Sequence, residues 1–217
     1  MGTSMNRRRA GARPLKPAES GFSMIEVAIS MAILTVGMVS LLGVFGLAMA
    51  STQTSQQALI AKQLANEALE SVVTARNTSQ ITWDDIQNTG STSCPISGAS
   101  SCGIFANPNT PQAIYQASTT TTGACGPYAG ILGTTCDAGQ PVQTLQDPGP
   151  DGIYGTADDV TIPLTGYQRT ILISSVLDAN NNPVPTLRSV TVTVWYATSQ
   201  TRQSMTYILN SYISQYP

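Results

Sequence analysis

The 217 residues carry 10 Lys and Arg against 12 Asp and Glu, with no histidine, which removes histidine-centred acid–base catalysis and His-dependent metal sites from consideration. The near-neutral total hides an asymmetry: Arg7, Arg8, Arg9, Arg13 and Lys16 face only Glu19 in the first 20 residues, which leaves five basic against eleven acidic groups, a charge of −6, beyond them. A chain so acidic over most of its length is a poor general nucleic-acid binder, and no basic surface follows to extend the arginines into a nucleic-acid tail.

The basic segment leads into Gly21–Ala50, GFSMIEVAISMAILTVGMVSLLGVFGLAMA, in which Glu26 is the one charged residue. As a helix, Val27–Ala50 would be about 36 Å long at about 1.5 Å per residue, enough to cross a hydrocarbon core of about 30 Å. A secretory signal peptide shares the order of basic then apolar residues. This run, however, exceeds the usual about 7–15 apolar residues, lacks a clean small-x-small cleavage site and holds an acid near its start. The positive bias predicts that the leader stays in the cytoplasm and that everything after the helix lies outside. A carboxylate in lipid is costly and rarely left alone, so Glu26 predicts a partner supplied by another chain. Gly37, Gly43 and Gly46 each lower helix propensity by about 1 kcal/mol relative to Ala, and their small size suits close packing between neighbouring helices.

The sextet Gly21-Phe22-Ser23-Met24-Ile25-Glu26, set between a basic leader and an apolar helix, resembles the processing motif of type IV pilins and type II secretion pseudopilins. The resemblance spans Arg7 to Ala75, and its pattern looks more like a minor pilin or minor pseudopilin than an abundant major subunit. It implies cleavage by a prepilin peptidase after Gly21, methylation of the new N-terminus at Phe22, and pairing of Glu26 with the N-terminus of an adjacent subunit during assembly. It also implies that the glycines let the helix extend locally when it leaves the bilayer. The partners implied are the peptidase, other pilin or pseudopilin subunits and an inner-membrane assembly platform. The implied location is the bacterial inner membrane with a periplasmic head, then a pilus or pseudopilus filament. The expected organisation is a leader over 1–21, a long helix over 22–77 that is transmembrane in its first half and amphipathic in its second, and an exterior head over 78–217.

Beyond Ala50 the residues Ala61, Leu64, Ala65, Ala68, Val72 and Ala75 recur at steps of three and four, with Lys62, Gln63, Asn66, Glu67 and Glu70 on the other faces, as an amphipathic helix requires. Asn77-Thr78-Ser79 supplies its break. The a/d repeat does not persist through heptads, which argues against a long coiled coil.

Ser79 to Pro163 is loop-rich and without sustained periodicity, short strands near Ile114 and Tyr115 aside. It holds all four cysteines, and sequential disulfides Cys94–Cys102 and Cys125–Cys136 are the favoured pairing of the three available in an exterior, oxidising setting. Such staples would limit the entropy of a loose insert. The segment Asp147–Asp159, DPGPDGIYGTADD, places Asp147, Asp151, the Ile153 carbonyl and Asp158 at the first, fifth, seventh and twelfth positions of a calcium loop, with Gly152 at the turn and Asp159 adjoining. The third position is Gly149 and no helices flank the segment, so this is no EF-hand. The alternatives are structural calcium (Ca2+) and an acidic surface turn. The segment also resembles calcium-binding loops found in some secretion pseudopilins.

Tyr167–Leu177, Arg188–Tyr196 and Gln203–Ile213 alternate apolar and polar residues and read as three antiparallel strands, with ANNNPVPT and ATSQTR as turns. Tyr196, Tyr207 and Tyr212 are expected to pack or to hydrogen-bond at the rim. The fold expected is α+β, a long N-terminal helix packed on a small antiparallel sheet. No Gly-x-Ser-x-Gly or P-loop element is present, and the adjacent Asp84 and Asp85 do not make a pocket. The expectation is a non-enzymatic structural or assembly-initiating subunit of a type IV pilus. A minor pseudopilin of a type II secretion system, or a membrane-anchored exterior adhesin or sensor, is the alternative, with any DNA or surface ligand left open.

Overall fold

A computed structural model describes residues 21, 23–90, 103–120, 126, 128–197 and 204–216. The expected leader residues before Gly21, Phe22, Cys94, Cys102, Cys125 and all but the first residue of the expected turn ATSQTR lie outside them.

One helix, α1 (Met24–Asn77), contributes to both of the units into which the chain divides, the first ending at Ala48 and the second beginning at Met49. In the first unit the large apolar side chains are exposed along the whole helix, which is long and apolar enough to cross a membrane. Its hydroxyls do not compete for outside partners. Ser30 donates to the Glu26 carbonyl at 2.7 Å and Ser40 to the Val36 carbonyl at 2.8 Å, so the helix satisfies its own polar groups as an apolar medium demands.

In the second unit α1 buries Ala61, Leu64, Ala65, Ala68, Val72 and Ala75, all six of the residues that the periodicity selects. Four of them are alanines, so the helix can lie close against the sheet. The helix stops in a Schellman arrangement: Ser79 has φ 57°, its N–H donates to Arg76 at 3.1 Å and the Gln80 N–H donates to Ala75 at 2.9 Å. Orphan carbonyls of the last turn are thereby capped, with serine in the place that glycine usually takes.

The main sheet contains β1 (Gln112–Ala113), β4 (Tyr167–Leu177), β5 (Pro183–Ala197) and β6 (Ser204–Ser214) in the order β1-β4-β5-β6, and a separate hairpin pairs β2 (Thr144–Asp147) with β3 (Val160–Pro163). All of the pairings are antiparallel. Along β5 the valines 190, 192 and 194 are buried with Tyr196, because strand residues two apart share a face. Ile171 of β4 and Ile213 of β6 complete this layer beneath α1. The three expected strands are present, and β1 adds a fourth at one edge. The segment ANNNPVPT is only in part a turn, since β5 begins at Pro183. β6 ends opposite Leu187, so Pro183 and Pro185 lie where β5 has one neighbour and a missing N–H costs no ladder bond on the free side.

The insert is not loose throughout. Phe105, Ile86, Ile114 and Ile131 are among the largest fully buried side chains and join the same core as the sheet and helix. They are held by turns and isolated bridges, Asn88 with Phe105, Phe105 with Thr134 and Tyr115 with Val142, rather than by long ladders.

Candidate functional site

The first candidate site is the start of α1. Gly21 is exposed, as are Ser23 and the residues that follow. The Ser23 carbonyl accepts from the N–H of Glu26 at 2.9 Å and of Val27 at 3.3 Å, which places Glu26 in the first turn of the helix. A carboxylate there is favoured by the positive end of the helix dipole. Among the described residues no hydrogen bond or ion pair is formed by its carboxylate. The side chain is therefore presented outward in an apolar stretch, the arrangement that leaves it open to a group from elsewhere.

The second is the tip of the β2–β3 hairpin. Antiparallel register sets Thr144 opposite Pro163 and Asp147 opposite Val160, so Asp147 ends one strand and the acidic segment makes the turn. Asp147 accepts from the Gly149 N–H at 3.2 Å, Asp151 from the Ile153 N–H at 2.8 Å and Asp159 from the Gly155 N–H at 2.7 Å. The chain folds back on itself at Gly149, where a Cβ would lie 2.5 Å from the Asp158 carbonyl oxygen and 2.7 Å from its Oδ2. The loop is tied together by Thr156, which sequence reasoning passed over. Its hydroxyl meets Ile153 O at 3.0 Å, Asp158 Oδ1 at 2.6 Å and Asp159 Oδ1 at 3.2 Å. The Thr156 hydroxyl holds the Asp158 carboxyl below the usual carboxylate range, with the Asp151 N–H adding to the effect. The signal that could have found Thr156 is its place two residues before an Asp pair, where a hydroxyl reaches local backbone and carboxylate oxygens.

Oxygen donors of the kind a hard cation takes are thus gathered on one loop. Among the described residues, however, no three His, Cys, Asp or Glu side chains converge closely enough to hold a metal ion. The donor set fits calcium in chemistry, and its carboxylates are turned onto backbone N–H groups.

A third cluster lies inside the head. Arg169, 5% exposed, donates to the Leu64 carbonyl of α1 at 3.2 Å. Burial lowers its pKa, and Glu67 and Asp137 oppose that by attraction. Asp137 accepts from the N–H of Gly133 at 2.6 Å and of Ser118 at 3.3 Å. Burial raises its pKa despite those bonds and Arg169. Next to it Cys136 is disulfide-bonded. Sequence reasoning missed the pair, although Arg169 has the parity of Ile171 and Ile173 on β4 and so had to face inward. The arrangement ties helix, sheet and insert together and contains no nucleophile or open pocket.

Tyr196 is buried and stacks on Tyr167 with ring centroids 6.0 Å apart, Tyr207 is half-buried and Tyr212 is 69% exposed. The clefts at Arg188, of about 440 and 520 Å³, share Gln87 and Ser175, and Asn88, Asn107 and Ile173 line the one while Trp83, Asp84 and Pro183 line the other.

Residues 16–42 match a family described as the prokaryotic N-terminal methylation motif, a span that contains Gly21, Phe22 and Glu26. No curated protein and no solved structure matches the chain. The motif, with one long apolar helix on a small antiparallel sheet, supports a type IV pilin-like family in general and membrane association through the N-terminal helix.

Proposed function

We propose that this chain is a minor, assembly-initiating subunit of a type IV pilus, cut by a prepilin peptidase between Gly21 and Phe22 and methylated on Phe22. The observation that carries the reading is the methylation motif over residues 16–42 leading directly into α1. Phe22 stands four residues before Glu26 in the sequence, so a modest axial stagger between parallel helices would let a neighbour's N-terminal ammonium meet the Glu26 carboxylate. In an apolar medium such a pair sets adjacent helices in register. The head faces the periplasm, as the basic leader directs, and the subunit engages the inner-membrane assembly platform together with other pilin subunits. Disulfides Cys94–Cys102 and Cys125–Cys136 staple the insert.

Asp147, Asp151, Asp158, Asp159 and the Ile153 carbonyl would hold a calcium ion, whose charge would offset the mutual repulsion of the four carboxylates at the hairpin tip. This loop also favours the second reading, a minor pseudopilin of a type II secretion system, because such a loop resembles those of some pseudopilins.

Intact mass and N-terminal sequencing of the membrane-derived protein test the proposal. A chain beginning at Phe22 and about 14 Da heavier than unmodified is expected, and retention of Arg7 to Lys16 rules the pathway out. Glu26→Ala protein is expected to insert, fold and be processed but to be missing from sheared filaments. Its recovery there at wild-type stoichiometry refutes the assembly role.

A further inference from the structure

The two edges of the main sheet are treated differently. At one edge, β1 pairs with Gln168 and Arg169 of β4. Beyond β1 the side chain of Asn88 stands in for a strand, its Nδ2 donating to the Ile171 carbonyl at 2.7 Å and its Oδ1 accepting from the Ile173 N–H at 2.8 Å. That edge is covered. At the other edge, β6 pairs with β5 through eleven consecutive residues without a register shift, and no described strand lies on its far side.

The direction of the free groups follows from the ladder. The Gln215 N–H donates to the Thr186 carbonyl at 2.8 Å, so residue 215 and, by alternation, 213, 211, 209 and 207 turn their backbone groups toward β5. Residues 206, 208, 210 and 212 turn theirs outward. The row ends at Ser214 and Tyr216, whose carbonyls are capped by the Arg76 guanidinium. Among the described residues, the outward N–H and C=O groups between Thr206 and Tyr212 have no partner, over about 20 Å of extended chain.

Natural edges are usually blunted by lysine, proline, a bulge or a covering element. β6, SMTYILNSYIS, has no charged residue, no proline and no glycine, and it carries Ile208 57% and Tyr212 69% exposed. A regular row of alternating donors and acceptors beside apolar side chains recognises one chemistry, an extended polypeptide backbone.

We propose that the outer edge of β6 is a docking site for an extended, uncharged segment of a different polypeptide, which adds as a fifth strand to the sheet. A second copy of this chain does not fit the site in the usual antiparallel mode. Two β6 strands related by a two-fold axis would run the α1 residues packed on them in opposite directions, whereas the proposed function, on which this step rests, sets neighbouring α1 helices parallel and in register. The rows of free groups on Thr206, Ile208, Asn210 and Tyr212 set the register of the incoming strand, and Arg76 limits its length at one end.

The test uses the full chain in detergent micelles and, as probe, a synthetic uncharged peptide with the sequence Ser189–Tyr196, which already pairs with the inner edge of β6. The peptide is expected to slow amide exchange at residues 206, 208, 210 and 212 by about tenfold or more, at peptide concentrations about tenfold above its Kd, while residues 207, 209 and 211 change little. Ile208→Pro removes one outward N–H and no ladder bond to β5, and it is expected to abolish the protection. Ile208→Lys blunts the edge without touching the backbone and serves if the proline variant does not fold. Equal protection in the variants, or none in the wild type, overturns the edge site. In producing cells a photo-crosslinker at Thr206 decides the occupant. An adduct to a different chain, mapped to one short segment and lost in Ile208→Lys, supports the proposal. A homodimeric adduct, or no adduct, overturns it.

Discussion

Two glycines with nearly the same backbone angle provide a controlled measure of how the insert is held to the core. Gly103 has φ 92° and Gly130 φ 83°, so alanine at either pays the left-handed penalty of about 1–2 kcal/mol. They differ in space. A Cβ at Gly103 would lie 2.2 Å from the Gln87 carbonyl oxygen and 2.8 Å from that of Asn88, whereas at Gly130 nothing lies within 4 Å. The obstruction at Gly103 is backbone, which cannot swing aside as a side chain can. Relief requires a shift of about 1 Å, which breaks the bonds from the Phe105 N–H to Gln87 at 3.2 Å and from the Thr89 N–H to Phe105 at 2.8 Å, each worth about 1 kcal/mol, and loosens Phe105 and Ile86, both fully buried. Gly103→Ala is therefore expected to cost about 3 kcal/mol more than Gly130→Ala. For a unit of this size that is a melting temperature lower by about 6–12 °C. Thermal unfolding of the purified chain, followed by circular dichroism, measures the difference. If the two variants melt within about 2 °C of one another, the insert is not seated on Gln87 as described.

Asp137→Asn is expected to remove part of the pH dependence of stability. Burial raises the Asp137 pKa above its ordinary value of 3.8, so its contribution is fully present below that value and is lost as pH rises through the folded-state pKa. Urea denaturation across the acid range should show this loss in the wild type and a flatter profile in the variant. Ala65→Leu places a large side chain on the fully buried face of α1 and is expected to cost about 1–3 kcal/mol by overpacking, read as a lower denaturant midpoint. An unchanged midpoint would show that α1 does not sit close to the sheet. If the hairpin tip takes calcium as proposed, Asp158→Asn is expected to weaken that binding by about tenfold or more. Titration calorimetry checks this, and calcium binding that is unchanged in the variant assigns the ion elsewhere.

Legibility in the sequence follows the regularity of the ladders. The inward residues of α1 and the valines of β5 could be named in advance because a helix repeats every 3.6 residues and a strand every two. Phe105, Ile86, Ile114 and Ile131 are as deeply buried, yet they sit in turns and single bridges, where no period exists to mark them. The β2–β3 hairpin stayed hidden for a related reason. Its eight strand residues are all exposed, so no inside-outside alternation distinguishes them. At its tip the order of the acids along the chain was readable, whereas their orientation was not, since each is set by a local contact with an N–H or with Thr156. Arg169 shows the opposite failure, for its parity on β4 was legible and its charge distracted from it.

The residues that fold the head and those left exposed are largely separate sets. Burial on α1 begins at Ala61 and continues to Ala75, whereas from Met24 to Met49 the large apolar side chains are exposed. The core can therefore form without any contribution from the first unit, and Glu26 has no part in it. The same division recurs within the head, where β6 turns Ile213 and the half-buried Tyr207 and Leu209 inward and leaves Ile208, Tyr212 and the backbone groups of its outer edge unused. Folding alone does not account for an uncharged open edge, because a lysine at Ile208 would leave the core contacts of β6 intact while guarding it. An apolar helix and an unguarded strand, each spared by the core, are both what a subunit that completes its structure in contact with other chains would present.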